Sequence, residues 1–266
     1  MSRQSPIGIF DSGIGGLTVA HAIKQALPQE SLVYFGDTAH LPYGDKSEAA
    51  IQAYSVRIAN VLIERGCKVI VIACNSASSA AYELLKEYVR HLAHVIDVID
   101  PMVRHVSSQF GGRKVGLIGT KRTIQSGIYT AKMERADPSI QLLPLATPLL
   151  VPMIEEGYFN NQISHDVISQ YLGDPLFGAI DALILGCTHY PLIRDEINEF
   201  FRGRVQILDS TAVVAATLKT YLESAQLLSD AMPTYEFLVS DYTESFEAST
   251  RVFFHEPARL QRYPLW

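Results

Sequence analysis

The sequence has little cysteine, no excess of basic charge and no long apolar run, and each shortage excludes something. Three cysteines in 266 residues, Cys67, Cys74 and Cys187, cannot build a disulfide framework. They suit a reducing compartment, where a lone thiol is either reactive or simply buried. Lys and Arg total 22 against 28 Asp and Glu, a formal net charge of −6. That balance gives no reason to expect nucleic acid or an anionic membrane as the main partner. No run approaches the roughly 18 apolar residues that cross a bilayer. The polar start, Met1 to Pro6, leads straight into a strand-like segment, so no secretory signal is expected and the protein is placed in the cytoplasm. Low-complexity segments and Ser- or Gly-rich linkers are also missing, so composition marks no clean domain boundary.

What is present is a chain able to fold around a sizeable core, 48% hydrophobic and 19% charged. At about 150 residues per domain the length suits two domains or one large one. Short apolar runs alternate with helical stretches. Ile7–Phe10, Leu32–Phe35, Val69–Ala73, Lys114–Ile118, Gln141–Leu145, Ala182–Leu185 and Val205–Leu208 read as strands, with a further one near Val95–Ile99. Between them, helices are expected over 15–27, 47–64, 78–89, 126–135, 163–172 and 193–201. Residues 229–234 read as a loop insert. Apolar strands separated by helices indicate an α/β fold with parallel sheets covered on both faces.

One internal likeness carries chemistry. Val71-Ile72-Ala73-Cys74-Asn75-Ser76 and Ile184-Leu185-Gly186-Cys187-Thr188-His189 follow one plan: apolar strand, small residue, cysteine, polar start to a helix. They lie about one small domain apart, which suggests two related halves. In open parallel sheets, ligands bind beyond the carboxyl ends of the strands. A cysteine there, beside unpaired helix N–H groups, loses its proton more easily. The alternative for either cysteine is a small buried apolar residue, and Cys67, which lacks this context, is read that way. Asp11-Ser12, Gly36-Asp37, Tyr43-Gly44, Thr120, Thr123 and Asp209-Ser210 gather at similar places. Helix capping is the competing explanation for such residues, and it is preferred for Asp209 and Ser210. The glycines of Asp11–Gly16 lack both dinucleotide and P-loop spacing. Cys187 and His189 lack the companions of a metal site.

At these residues, from Phe10 to Val19, Gly36-Asp37, Pro42-Tyr43-Gly44, Ala73 to Ala77 and Gly186 to Pro191, the sequence resembles the glutamate racemases of the cofactor-independent Asp/Glu racemase superfamily. The likeness runs from residue 7 to about residue 254. It implies two similar three-layer α/β domains with mostly parallel sheets and the active site in the cleft between them. Residues 1–95 with 210–266 would form the first and 96–209 the second. It implies interconversion of L- and D-glutamate with no pyridoxal phosphate or metal, and a supply of D-glutamate to peptidoglycan. By the same resemblance, Cys74 and Cys187 are the catalytic thiols, with Asp11 assisting the first and His189 the second. Glu155 supports the histidine, with Glu156 the alternative register. Asp11, Ser12, Tyr43, Gly44, Asn75, Ser76, Thr120, Thr123, Thr188 and His189 bind substrate. Ser76 stands where the family usually has Thr, and Thr147 where many members have Cys. The partner expected is glutamate itself, with no nucleic acid and no membrane, and the oligomeric state stays open, a homodimer included. Rival readings are an aspartate or hydantoin racemase, a catalytically silent binding protein, and a thiol hydrolase using one Cys–His pair.

Overall fold

The structure, a computed structural model, describes residues 2–266. The chain divides into two compact units, one running to Val98 and resuming from Thr211 to Trp266, the other Ile99–Ser210.

In the first unit the order is β1 (Ile7–Asp11), α1 (Leu17–Ala26), β2 (Leu32–Gly36), α2 (Glu48–Glu64), β3 (Val69–Ile72), α3 (Asn75–Val89) and β4 (His94–Asp97). The second unit follows with α4 (Ile99–Gln109), β5 (Lys114–Gly119), α5 (Lys121–Gln125), α6 (Ile128–Ala136), β6 (Gln141–Ala146), α7 (Leu150–Glu155), α8 (Gln162–Leu172), β7 (Ala182–Gly186), α9 (Arg194–Phe200) and β8 (Gln206–Asp209). The first unit then resumes with α10 (Ser210–Ser224, which opens at the junction), β9 (Tyr235–Val239), α11 (Glu244–Phe253) and β10 (Leu260–Arg262). Every pairing is parallel. The six-stranded sheet runs β10-β9-β2-β1-β3-β4 and the four-stranded sheet β6-β5-β7-β8.

The expected strands form because both of their faces are covered. In the six-stranded sheet, Phe10, Val33, Phe35, Ile70 and Ile72 alternate onto one face and join Ile51, Ile58, Leu62, Ala77, Ala81 and Leu85 of α2 and α3 in one apolar cluster. Intervening residues Ile9, Tyr34 and Val71 are equally buried on the other face. Cys67 lies in the same core, with its thiol pushed up to about 12 by burial. Pro144 is tolerated in β6 because that strand is the sheet's edge.

Several expectations are corrected. Val98 is not strand and Ile99 opens α4, so the apolar run continues past β4 directly into a helix. The helix expected over 126–135 is α6, which opens at Ile128 after left-handed Gly127 (φ 66°). Elements α4, α5, α7, α10, β9 and β10 were not anticipated. Residues 229–234 do form a non-regular connection, from α10 to β9.

A polar knot closes the amino-terminal edge of the first sheet. Lys68, fully buried, pairs with Glu30 at 2.6 Å and donates to the carbonyls of Arg3 (2.6 Å) and Leu227 (2.8 Å). Glu30 also accepts the Ser229 N–H at 2.8 Å. The charges are tolerable in the interior because each is both paired and hydrogen bonded. They stitch together residues far apart in sequence at the edge opposite the chemistry.

Candidate active site

In the first unit, adjacent strands deliver Asp11, Asp37 and Cys74 to one carboxyl edge. Asp11 pairs with Gly36 in register, and Phe10 with Ile72. Asp11 is buried, and its Oδ2 accepts the N–H groups of Gly13 (3.1 Å) and Gly16 (3.0 Å). Gly16 has to be glycine: a Cβ there would stand 2.4 Å from the Cβ of Asp11. The hydroxyl of buried Tyr34 donates to the Gly13 carbonyl at 2.7 Å. This carboxylate therefore shapes the loop that carries Ser12.

Cys74 is the N-cap of α3, so that helix begins three residues earlier than its sequence pattern suggests. The Sγ atom accepts the Ala77 N–H at 3.4 Å and lies 3.7 Å from the Ser12 hydroxyl. Asn75 and Ser76 are buried in its first turn. A negative sulfur here is favoured by the positive end of a 15-residue helix. Tyr43 and Gly44 occupy a 3₁₀ turn, Tyr43–Asp45, with the Tyr43 ring buried.

In the second unit, Gly119 is in register with Gly186 on one side and Ala146 on the other, which sets Thr120, Cys187 and Thr147 beyond neighbouring strands. Thr120 caps α5, accepting the Thr123 N–H at 3.2 Å, and its hydroxyl is 3.1 Å from that of Thr123. Cys187 differs from the sequence expectation. It does not sit at the start of an α-helix: a 3₁₀ turn, Tyr190–Ile193, follows it with Pro191 in the first positions, and α9 begins only at Arg194. Its polar neighbour is a side chain. His189 Nδ1 lies 3.7 Å from Cys187 Sγ, and His189 Nε2 lies 3.0 Å from Glu155 Oε1. Burial opposes charging this ring, but hydrogen bonds to Cys187 and Glu155, and their negative charge, outweigh it and push its pKa up to about 10. Glu155, at the end of α7, is the carboxylate in contact with His189, and Glu156 follows it as the C-cap. Thr188 is buried beside them.

Asp209, at the end of β8, pairs with Arg194, which also donates to the Ile207 carbonyl at 3.0 Å. Two features had no assigned role in the sequence reading. Asp37, noticed only as a strand-end residue, is a buried acceptor for several side chains. The hydroxyls of Tyr190 and Thr147 meet at 2.7 Å, both buried. The strand–polar pattern signalled Asp37, whereas nothing local signals the Thr147–Tyr190 pair. Among the described residues no group of three or more His, Cys, Asp and Glu side chains could hold a metal, and no helix is long and apolar enough to cross a membrane.

Known proteins resemble this chain in sequence and fold. The sequence pattern of the Asp/Glu/Hydantoin racemase family matches residues 14–218. A glutamate racemase of Geobacter metallireducens is 40% identical over 242 residues, 90% of this chain and 89% of that protein. The crystal structure of glutamate racemase from Francisella tularensis in complex with D-glutamate superposes with a TM-score of 0.93 at 36% identity, covering 99% of this chain and 98% of that one. The enzyme from Thermus thermophilus, in complex with beta-chloro-D-alanine, gives 0.88 at 37% identity, covering 99% and 98%. The chain belongs to the Asp/Glu/Hydantoin racemase family and is an amino-acid racemase.

Proposed function

We propose that the protein interconverts L- and D-glutamate by proton transfer at Cα, with Cys74 and Cys187 as the two acid–base groups. The observation that carries the reading is the pair of buried thiols, each ending a central strand beside polar groups suited to a sulfur anion. The glutamate-racemising relatives, aligned over nine-tenths of the chain, support the choice of substrate.

Inversion needs a proton removed from one face of Cα and another delivered to the opposite face. One base cannot easily serve both faces, so one cysteine starts as thiolate and the other as thiol. The thiolate takes the Cα proton, leaving its electron pair on carbon. The second thiol gives its proton to the other face. The two sulfurs finish with exchanged protonation states, ready for the other enantiomer. General acid–base action contributes about 10²- to 10⁴-fold, so positioned donors and exclusion of water supply the rest. Ser12, Asn75, Ser76 and Thr188 are the side chains proposed to hold the carboxylates, and Tyr43, Gly44, Thr120 and Thr123 are proposed as further substrate-binding residues. Side-chain thiols suffice for this chemistry, so activity is expected to survive dialysis against a chelator with no pyridoxal absorbance. The product fits peptidoglycan synthesis in the cytoplasm.

Circular dichroism of purified protein, mixed separately with L-glutamate, D-glutamate and the two aspartates, tests the substrate. Loss of signal from both glutamates only is expected, and turnover of aspartate alone overturns it. Exchange of the Cα proton in heavy water separates a racemase from a silent binding protein.

A further inference from the structure

Asp37, immediately beyond β2, is fully removed from solvent, and side chains from the loop that follows it and from two distant stretches converge on it. The Tyr43 hydroxyl donates to its Oδ2 at 2.6 Å. The Ser240 hydroxyl and the Trp266 indole N–H donate to its Oδ1 at 2.7 and 2.9 Å. The His40 Nδ1 lies 3.0 and 3.1 Å from the two oxygens. Its backbone N–H is tied to the carbonyl of Asp11 at 3.0 Å. An N-capping carboxylate uses one or two donors, whereas four donor side chains saturate this one. A buried carboxylate so satisfied is rigid, and its partners become rigid with it.

Two consequences concern the substrate loop. The Tyr43 hydroxyl has spent its hydrogen on Asp37, so it can only accept from a molecule bound beside it. Fixing that phenol also fixes the start of the turn that carries Gly44. The tether from Trp266 is packed as well as bonded. Its ring meets His40 edge-on at 4.4 Å and Tyr54 at 5.1 Å, with the Arg57 guanidinium 4.8 Å from the ring centre. His40 in turn stacks on Tyr54 at 4.2 Å.

We propose that Asp37 is a positioning residue for substrate binding, holding Tyr43 and Gly44 through this four-donor knot, and that Trp266 ties the segment after β10 to that loop. The inference rests on the glutamate reading above, and the test separates the two. Trp266 is the only tryptophan of the sequence, so its emission reports on the knot without a label. Titration of the wild type with D-glutamate should shift that emission along a saturation curve. An enzyme that fails to racemise but still gives this curve defeats the function and keeps the knot; a flat titration with normal turnover does the reverse. Asp37→Asn should raise KM about tenfold or more, the loss expected for hydrogen bonds to a charged group, and lower kcat far less. Trp266→Phe, which keeps a ring and removes one donor, should raise KM a few-fold, in line with one of several shared bonds. Folded Asp37→Asn with the wild-type KM overturns the proposal, even where its melting temperature falls. Should that variant fail to fold, wild-type KM values in both Trp266→Phe and Ser240→Ala overturn it instead.

Discussion

Cys74 and Cys187 end corresponding strands, yet the two ends favour a sulfur anion by different means. At Cys74 the help is backbone: the first turn of α3 presents the Ala77 N–H to Sγ, and the nearby hydroxyl of Ser12 does not titrate in the working range. At Cys187 the help is a side chain, His189, charged by virtue of Cys187 and Glu155. A helix end offers a fixed dipole at every pH, whereas an imidazole offers a charge that disappears once its proton leaves. The same thiol chemistry is therefore pH-independent in its support at one end and pH-dependent at the other.

The strongest break of the comparison removes the sulfurs themselves. Cys74→Ser and Cys187→Ser should each abolish measurable racemisation, by at least the roughly 10²- to 10⁴-fold of a general acid–base group, because an alcohol is too weak an acid to shuttle the proton. Cys67→Ser should keep most activity, since that thiol lies in the apolar core with its pKa raised to about 12. Circular dichroism with either enantiomer reads all three, and similar losses in folded Cys67→Ser and Cys74→Ser would defeat the assignment.

Next in size is the ring that distinguishes the Cys187 end. His189→Asn should lower kcat/KM by about 10- to 100-fold, the scale of one charge-assisted hydrogen bond. The loss must be equal in both directions, because the enantiomers have equal free energy and the catalyst cannot move their equilibrium. Its location shows instead in isotope effects. If Cys187 takes the proton from L-glutamate, as the family resemblance implies, the effect of Cα deuteration should grow for L-glutamate and stay near the wild-type value for D-glutamate. Growth for D-glutamate alone would reverse the assignment.

A smaller change tunes the same ring through its partner. Glu155→Gln keeps a hydrogen-bond acceptor but removes a charge, and that charge and its hydrogen bond are among the reasons the His189 pKa stands at about 10. The alkaline limb of activity should move to lower pH. Stability carries the same sign. A histidine whose folded pKa lies above its ordinary 6.5 stabilises the fold fully below 6.5, and that contribution is lost as pH rises through about 10. Thermal melts across this range should thus show wild type losing more stability with rising pH than Glu155→Gln. A limb that stays in place would remove Glu155 from the proton chemistry of this end.

The strands were legible because both faces of a parallel sheet are covered, which leaves continuous apolar runs such as Val69–Ile72 and Ala182–Gly186. Elements that lean on distant partners were not. β10 is three residues long and pairs only with β9; α4 follows β4 so closely that Val98-Ile99 reads as more strand. The site divided in the same way. Both thiols stood out because chemistry and local pattern coincide at Cys74-Asn75-Ser76 and Cys187-Thr188-His189. The contact from Glu155 to His189 depends on α7, which no periodicity announced. The bond from Trp266 to Asp37 spans 229 residues, a separation across which local pattern says nothing.

The mildest substitution returns to the Cys74 end. Asp11→Asn keeps the size of the side chain and one acceptor oxygen for the Gly13 and Gly16 N–H groups, so the loop should hold. What changes is charge near the thiol. If Asp11 only shapes the loop, as its two backbone bonds allow, kcat/KM should fall within the few-fold typical of a weakened cap, and isotope effects should be unaltered with either enantiomer. If Asp11 also tunes Cys74 as the base towards D-glutamate, the isotope effect should rise for D-glutamate and hold for L-glutamate, the mirror image of His189→Asn. In neither case should the alkaline limb move as it does in Glu155→Gln, because the groups that meet the Cys74 sulfur, the Ala77 N–H and the Ser12 hydroxyl, are not imidazoles and keep their protons across this range. A limb that shifts equally in Asp11→Asn and Glu155→Gln would mean that the two ends titrate as one, and the contrast between a dipole-held and an imidazole-held sulfur would fall.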